Sequence, residues 1–159
     1  MRKLTLLCVG RLKEPFYIDA AAEYVKRLSR YCKTEIAELP ENRLPENPSA
    51  AQIEAALEKE ASAIRKKLPP NAFLTALCIE GKAYSSEQFA RLLSDLSDCG
   101  ASPAFVIGGS YGLHTSIKEA ADCRLSMSPM TFPHHLARVM LLEQLYRACQ
   151  IQSGGQYHK

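Results

Sequence analysis

The sequence predicts an α/β domain built on a largely parallel sheet. Three observations lead there: short apolar runs closed by glycine or proline, amphipathic stretches at helical spacing, and alternation of the two along the chain. With 159 residues, 47% apolar and 23% charged, the chain has the size and composition of one globular domain, 1–159. No internal repeat, low-complexity tract or second domain is visible.

Leu4 to Val9 is an apolar run closed by Gly10 and reads as a buried strand. Pro15 can open a helix, and Phe16, Ala20, Tyr24, Leu28 and Tyr31 follow at helical spacing. Thr34 to Leu39 is a second strand. The stretch Pro40 to Pro48 is a loop, because its prolines remove donors and clash with a preceding turn. Ser49 and Gln52 have capping-box spacing, with Ile53, Leu57, Ile64 and Leu68 as an apolar face and Pro69-Pro70 as a stop. Phe73 to Ile79 is the third strand, expected to turn at Glu80-Gly81-Lys82.

Ser85 with Gln88 caps the next helix, with Phe89, Leu92, Leu93 and Leu96 inward and Gly100 beyond its end. Ala104 to Ile107 is a fourth strand ending at Gly108-Gly109. A short helix begins at Thr115 or Ser116, and Arg124 to Met127 is a fifth strand. Pro133 suits the first turn of a last helix running to about Ile151. Leu136, Met140, Leu145 and Ala148 are available for its packing.

Composition narrows the function. No run of eighteen or more apolar residues exists and the N-terminus lacks a signal-like core, so a cytoplasmic protein without a membrane span is expected. The six cysteines are scattered without a C-x-x-C pair, so buried thiols are expected rather than disulfides or a metal centre. The net charge of +3 is uneven. Residues 1–33 hold eight Lys/Arg against three acids, whereas 34–63 hold two against seven. A basic N-terminal part suits an anionic partner, but it equally describes a solvated amphipathic helix.

Ligands in open α/β sheets bind beyond the carboxyl ends of strands. Three such ends are informative: Leu77 to Gly81, Ile107 to Gly112, and Leu125 to Phe132. Gly108-Gly109 can bring backbone close to a ligand, although such a pair also makes ordinary tight turns. Gly108, Gly109 and Gly112 do not match the dinucleotide pattern, and no phosphate-binding loop exists, which disfavours nicotinamide enzymes and NTPases. Neighbouring His134 and His135 cannot form the i, i+4 pair of zinc hydrolases. Arg138 and Arg147 on the last helix read as surface salt-bridging residues unless that helix lines a cleft.

Several motifs in fixed order nevertheless resemble one family. They are Leu7-Cys8-Val9-Gly10-Arg11-Leu12-Lys13-Glu14, Glu23 to Leu28, Ile107-Gly108-Gly109-Ser110-Tyr111-Gly112-Leu113, Leu125 to His134, Glu143 to Ala148, and the ending Tyr157-His158-Lys159. Together they resemble the ribosomal RNA large subunit methyltransferase H family, over essentially the whole chain. The resemblance implies a SPOUT fold with its C-terminal segment threaded into a trefoil knot, which ordinary topology rules do not predict. It implies a homodimer that binds S-adenosyl-L-methionine in the knot. The reaction it implies is methylation of N3 of a pseudouridine in a 23S rRNA stem-loop within assembled ribosomes.

Carried onto this chain, the resemblance puts Leu77, Gly108, Met127, Ser128, Pro129, Met130, Thr131 and Phe132 around the cofactor. Arg138 or His158 would orient the acceptor ring, Tyr157 would stack or hydrogen-bond, and His158 would accept a proton directly or through water. No metal is required. Two alternatives are disfavoured. The Gly108-Gly109 turn, the cofactor-loop run and the Tyr157-His158 ending argue against a ribosome-binding assembly factor without catalysis. The short chain and whole-length resemblance argue against a SPOUT enzyme acting on transfer RNA. Methyl incorporation and substrate comparison separate them.

Overall fold

The computed structural model describes residues 3–154. Five strands, β1 (Lys3–Val9), β2 (Lys33–Leu39), β3 (Ala72–Ala83), β4 (Ser102–Ile107) and β5 (Cys123–Ser126), form one sheet in the order β2-β1-β4-β3-β5. Every pairing is parallel. The helices α1 (Pro15–Leu28), α2 (Ala50–Lys67), α3 (Ser86–Asp98), α4 (Thr115–Ala120) and α5 (His134–Gln152) alternate with the strands. This is the α/β architecture the sequence predicts.

Period-two alternation in the strands explains how the helices divide. Leu4, Leu6 and Cys8 of β1, with Phe105 and Ile107 of β4, face a core shared with α1, α3 and α5. Leu7, Val9, Ala76 and Val106 point the other way, into a core with α2 and α4. Crossovers running toward β2 (α1, α3) therefore lie on one face and those running away from it (α2, α4) on the other, as a single crossover hand requires.

Local chemistry sets the helix starts. Ser49 and Ser85 both close full capping boxes, their hydroxyls accepting from the Gln52 and Gln88 amides at 3.2 Å. Pro133 is the residue before α5 rather than within its first turn. The core face of α5 is Leu141, Leu142, Leu145, Ala148 and Cys149, whereas Leu136 and Met140 are only half-buried.

β4 begins two residues earlier than expected, with Pro103 inside it. The β1 ladder starts only at Ala104, so Pro103 has no β1 partner to disappoint with its missing N–H. The expected turn at Glu80-Gly81-Lys82 is a large bulge instead: Leu77 and Lys82 both pair with Leu125, and β3 resumes to Ala83. A Cβ on Gly81 would lie 2.7 Å from the Leu125 carbonyl carbon and 2.8 Å from the Arg124 carbonyl. Only glycine lets β3 rejoin β5 there, which periodicity alone does not reveal.

All six cysteines are free; Cys8, Cys32 and Cys149 are buried, while Cys99 is exposed. Burial pushes the Cys8 thiol up to about 12, so it is inert packing. Among the described residues no helix is long and apolar enough to cross a membrane, and no group of three or more His, Cys, Asp or Glu side chains is gathered to hold a metal.

Candidate functional site

The carboxyl ends of β3, β4 and β5 open into a cleft of about 740 Å³. Three backbone devices shape it. The β3 bulge carries Cys78, Ile79 and Glu80 into one wall. The Gly108–Gly112 turn forms a second, closed by the Gly112 amide donating to the Gly109 carbonyl at 3.0 Å. The segment after β5 forms the third. There the Ser126 hydroxyl donates to the Ser128 carbonyl at 3.1 Å, and the Met130 amide donates to the Ser128 hydroxyl at 3.0 Å. That side-chain turn curls Met127–Phe132 over the strand ends.

Gly108 is the tightest point of this framework. A Cβ there would lie 2.2 Å from the Gly112 carbonyl oxygen, a distance no side chain tolerates. The second wall is also anchored from outside. Glu41, in the segment after β2, accepts the Ser110 amide at 2.8 Å and the Ser110 hydroxyl at 2.7 Å. Lys118 of α4 pairs with Glu80 at 2.6 Å across the far wall.

The lining is mostly apolar, through Leu77, Ile107, Leu125 and Met127, with polar groups confined to a few positions. Such a surface suits a ligand with one planar or aliphatic part and one polar part. Ile79, Tyr111 and Met130 stand at the rim, 52%, 49% and 71% exposed, unusual for large apolar groups.

One family model, described as predicted SPOUT methyltransferase, matches residues 2–158. A ribosomal RNA large subunit methyltransferase H from Streptococcus equi subsp. zooepidemicus is 49% identical over 158 residues, 99% of each chain. Another of that name, from Pelotomaculum thermopropionicum, is 48% identical over 159 residues, again 99% of each. This chain belongs to the ribosomal RNA large subunit methyltransferase H family of SPOUT methyltransferases. The fold agrees. A solved structure described as a probable methyltransferase from Bordetella pertussis superposes with a TM-score of 0.60 at 19% identity, covering 93% of this chain and 96% of that one. A probable methylase family protein from Haemophilus influenzae gives 0.55 at 15% identity, covering 99% and 70%.

In this SPOUT methyltransferase, seven of the eight residues that the resemblance assigned to the cofactor line the same cleft. They are Leu77, Gly108, Met127, Ser128, Met130, Thr131 and Phe132. Pro129 is exposed and lies in the same segment without contributing to the lining. Tyr157 and His158 lie outside the described residues.

Arg138 sits differently from a group facing an acceptor ring. It is 2% exposed, pairs with Glu38 at 2.6 Å and donates to the Gly10 carbonyl at 2.9 Å. It therefore ties α5 to the ends of β1 and β2, and its guanidinium faces protein. It is salt-bridged, as the sequence suggested, but buried rather than on the surface. Arg147 pairs with Glu143 at 2.7 Å, one turn earlier on α5.

Sequence reasoning missed two contributors. His134 lines the cleft at the start of α5, with its Nε2 buried and without a hydrogen-bond partner among the described residues. Burial pushes its pKa below the ordinary histidine value, and His135 beside it adds to the effect. Glu41 was missed because its partner Ser110 is sixty-nine residues away. No local pattern announces such a pair.

Proposed function

We propose that this chain transfers a methyl group from S-adenosyl-L-methionine to N3 of a pseudouridine in a 23S rRNA stem-loop presented by the assembled ribosome. The observation that carries the reading is the convergence of Leu77, Gly108 and Met127–Phe132, far apart in sequence, on one apolar cleft at the strand ends. Near-full-length similarity to relatives named for ribosomal RNA methylation supports the substrate class.

The cleft fits the proposed cofactor. Its volume falls within the roughly 300–1,000 Å³ usual for cofactor sites. Gly108 lets the turn that forms one wall close against the Gly112 carbonyl, where any Cβ would intrude. Leu77, Met127 and Met130 offer apolar contact to a purine, and the Met127–Phe132 segment would supply backbone groups to read its edge. Bound there, S-adenosylmethionine supplies a methyl group on a positively charged sulfur.

The chain's own residues then have three tasks. The walls hold donor and acceptor in line, which supplies much of the acceleration. The N3 proton must leave, and His158 accepts it directly or through water, with Tyr157 packed on the ring. Arg138 acts as a positioning residue, fixing α5 against Gly10 and Glu38. Trefoil threading of the C-terminal segment and a homodimer belong to the same reading. A catalytic domain of 159 residues has little surface per subunit, so it recognises ribosomal shape more than linear sequence.

The test is to incubate the protein with labelled S-adenosylmethionine and ribosomes, free subunits or transfer RNA from a strain lacking the enzyme, then map the label. Incorporation at one pseudouridine of ribosomes is expected. Label on transfer RNA, or ribosome binding without label, would overturn the assignment. His158→Ala should cut turnover far more than donor affinity.

A further inference from the structure

A second depression, of about 780 Å³, lies against the first, with Ser110 and Tyr111 lining both. Its walls are Gly10–Lys13 after β1, the Glu38–Pro45 segment and the first half of α2. None of the seven residues assigned to the cofactor reaches it, so apart from the shared Ser110 and Tyr111 it is a separate surface beside the proposed reaction centre.

Its charges are divided in a telling way. Arg11, Lys13 and Arg43 are exposed on its walls, and among the described residues none of the three takes part in an ion pair. The acids of the same walls are engaged by the protein itself. Glu38 is paired with Arg138, and Glu41 is held by Ser110. Glu60 is buried and accepts the Asn42 amide at 2.8 Å, and burial pushes its carboxyl above the ordinary range. What remains for a visitor is three free cations over a partly apolar floor of Leu44, Ile53 and Leu57.

We infer that this groove is an RNA-binding surface: Arg11, Lys13 and Arg43 contact phosphates of the strand flanking the target nucleotide, and the exposed ring of Tyr111 stacks on a neighbouring base. The inference rests on the methyltransferase reading above. A cationic groove with an aromatic platform is how proteins hold single-stranded nucleic acid. Tyr111 stands between the two depressions, so a strand crossing the groove delivers its next nucleotide to the donor cleft. A protein partner would leave three unpaired cations and an exposed ring without comparable use.

Binding is measured by fluorescence anisotropy with a labelled short oligouridylate, and by retention of purified ribosomes, both across a salt series. Arg11→Ala, Lys13→Ala and Arg43→Ala together should flatten the slope of log affinity against log salt by about 2, roughly 0.7 for each phosphate released. On ribosomes the same triple variant should raise KM at least tenfold, with kcat and donor affinity near wild type. Tyr111→Ala should weaken oligouridylate binding by about tenfold and Tyr111→Phe should restore it. Arg30→Ala, just before the amino end of β2, should change none of these. An unchanged salt slope in the triple variant, wild-type protein that retains neither probe, or an effect confined to oligomeric state would each overturn the inference. Wild-type protein that binds RNA through these residues but transfers no methyl would instead overturn the functional reading and leave the groove standing.

Discussion

Glu41 and Ser110 form a double hydrogen bond, amide and hydroxyl to one carboxylate oxygen at 2.8 and 2.7 Å, that joins the segment after β2 to the glycine-rich turn after β4. Burial raises the Glu41 pKa, but the two Ser110 hydrogen bonds, helped by His134 and His135, outweigh it, so the net displacement is downward. A depressed carboxyl contributes stability that is present above its unfolded value and lost as pH falls through the folded one. Glu41→Ala should therefore weaken S-adenosylmethionine binding several-fold and cost about 1 kcal/mol. Its effect on stability should shrink as the pH falls below about 4. Calorimetry and denaturant titration at two pH values check both.

Gly108→Ala tests the turn itself. The added Cβ would overlap the Gly112 carbonyl oxygen, and backbone on both sides must move. Donor affinity should fall at least tenfold while far-UV circular dichroism stays near wild type. Wild-type affinity in this variant would show that the turn is not part of the cofactor cleft.

Arg138 separates structure from chemistry. Its removal leaves Glu38, 35% exposed, with only the Leu12 amide as a partner among the described residues, and opens a hole beneath α5. A broken buried pair costs about 3–5 kcal/mol, and partial solvation of Glu38 reduces this to about 2–4 kcal/mol for Arg138→Ala. The midpoint of urea unfolding should drop accordingly. Normal stability with lost turnover would instead place the guanidinium at the reacting ring.

His134 gives a pH signature of the opposite kind to a salt-bridged histidine. Its folded pKa lies below its ordinary value of 6.5, chiefly through burial. The unfolded chain thus binds the proton more readily, and stability declines as pH falls from about 6.5 toward the folded pKa. Below that value the loss is constant. His134→Gln should remove this slope, read from denaturation midpoints between about pH 5 and 7.

Much of the fold was legible locally. Both capping boxes, the Pro40–Pro48 loop and all five strands follow from short-range rules, because a helix cap or a strand face is decided within a few residues. The cleft residues were legible only through resemblance to a family. Leu77, Gly108 and Met127–Phe132 are ordinary core and turn residues until the strand ends bring them together.

What the sequence determined by itself is therefore the set of elements and their buried faces, since hydrophobic periodicity and turn chemistry act over one or two turns of chain. Tertiary structure alone decided the rest. Gly81 became a point of contact with Arg124 and Leu125 rather than a turn, Arg138 became a buried tie rather than a surface charge, and Glu41 met Ser110. Each depends on which strands neighbour one another in the sheet. Contacts between residues tens of positions apart have no local period to betray them.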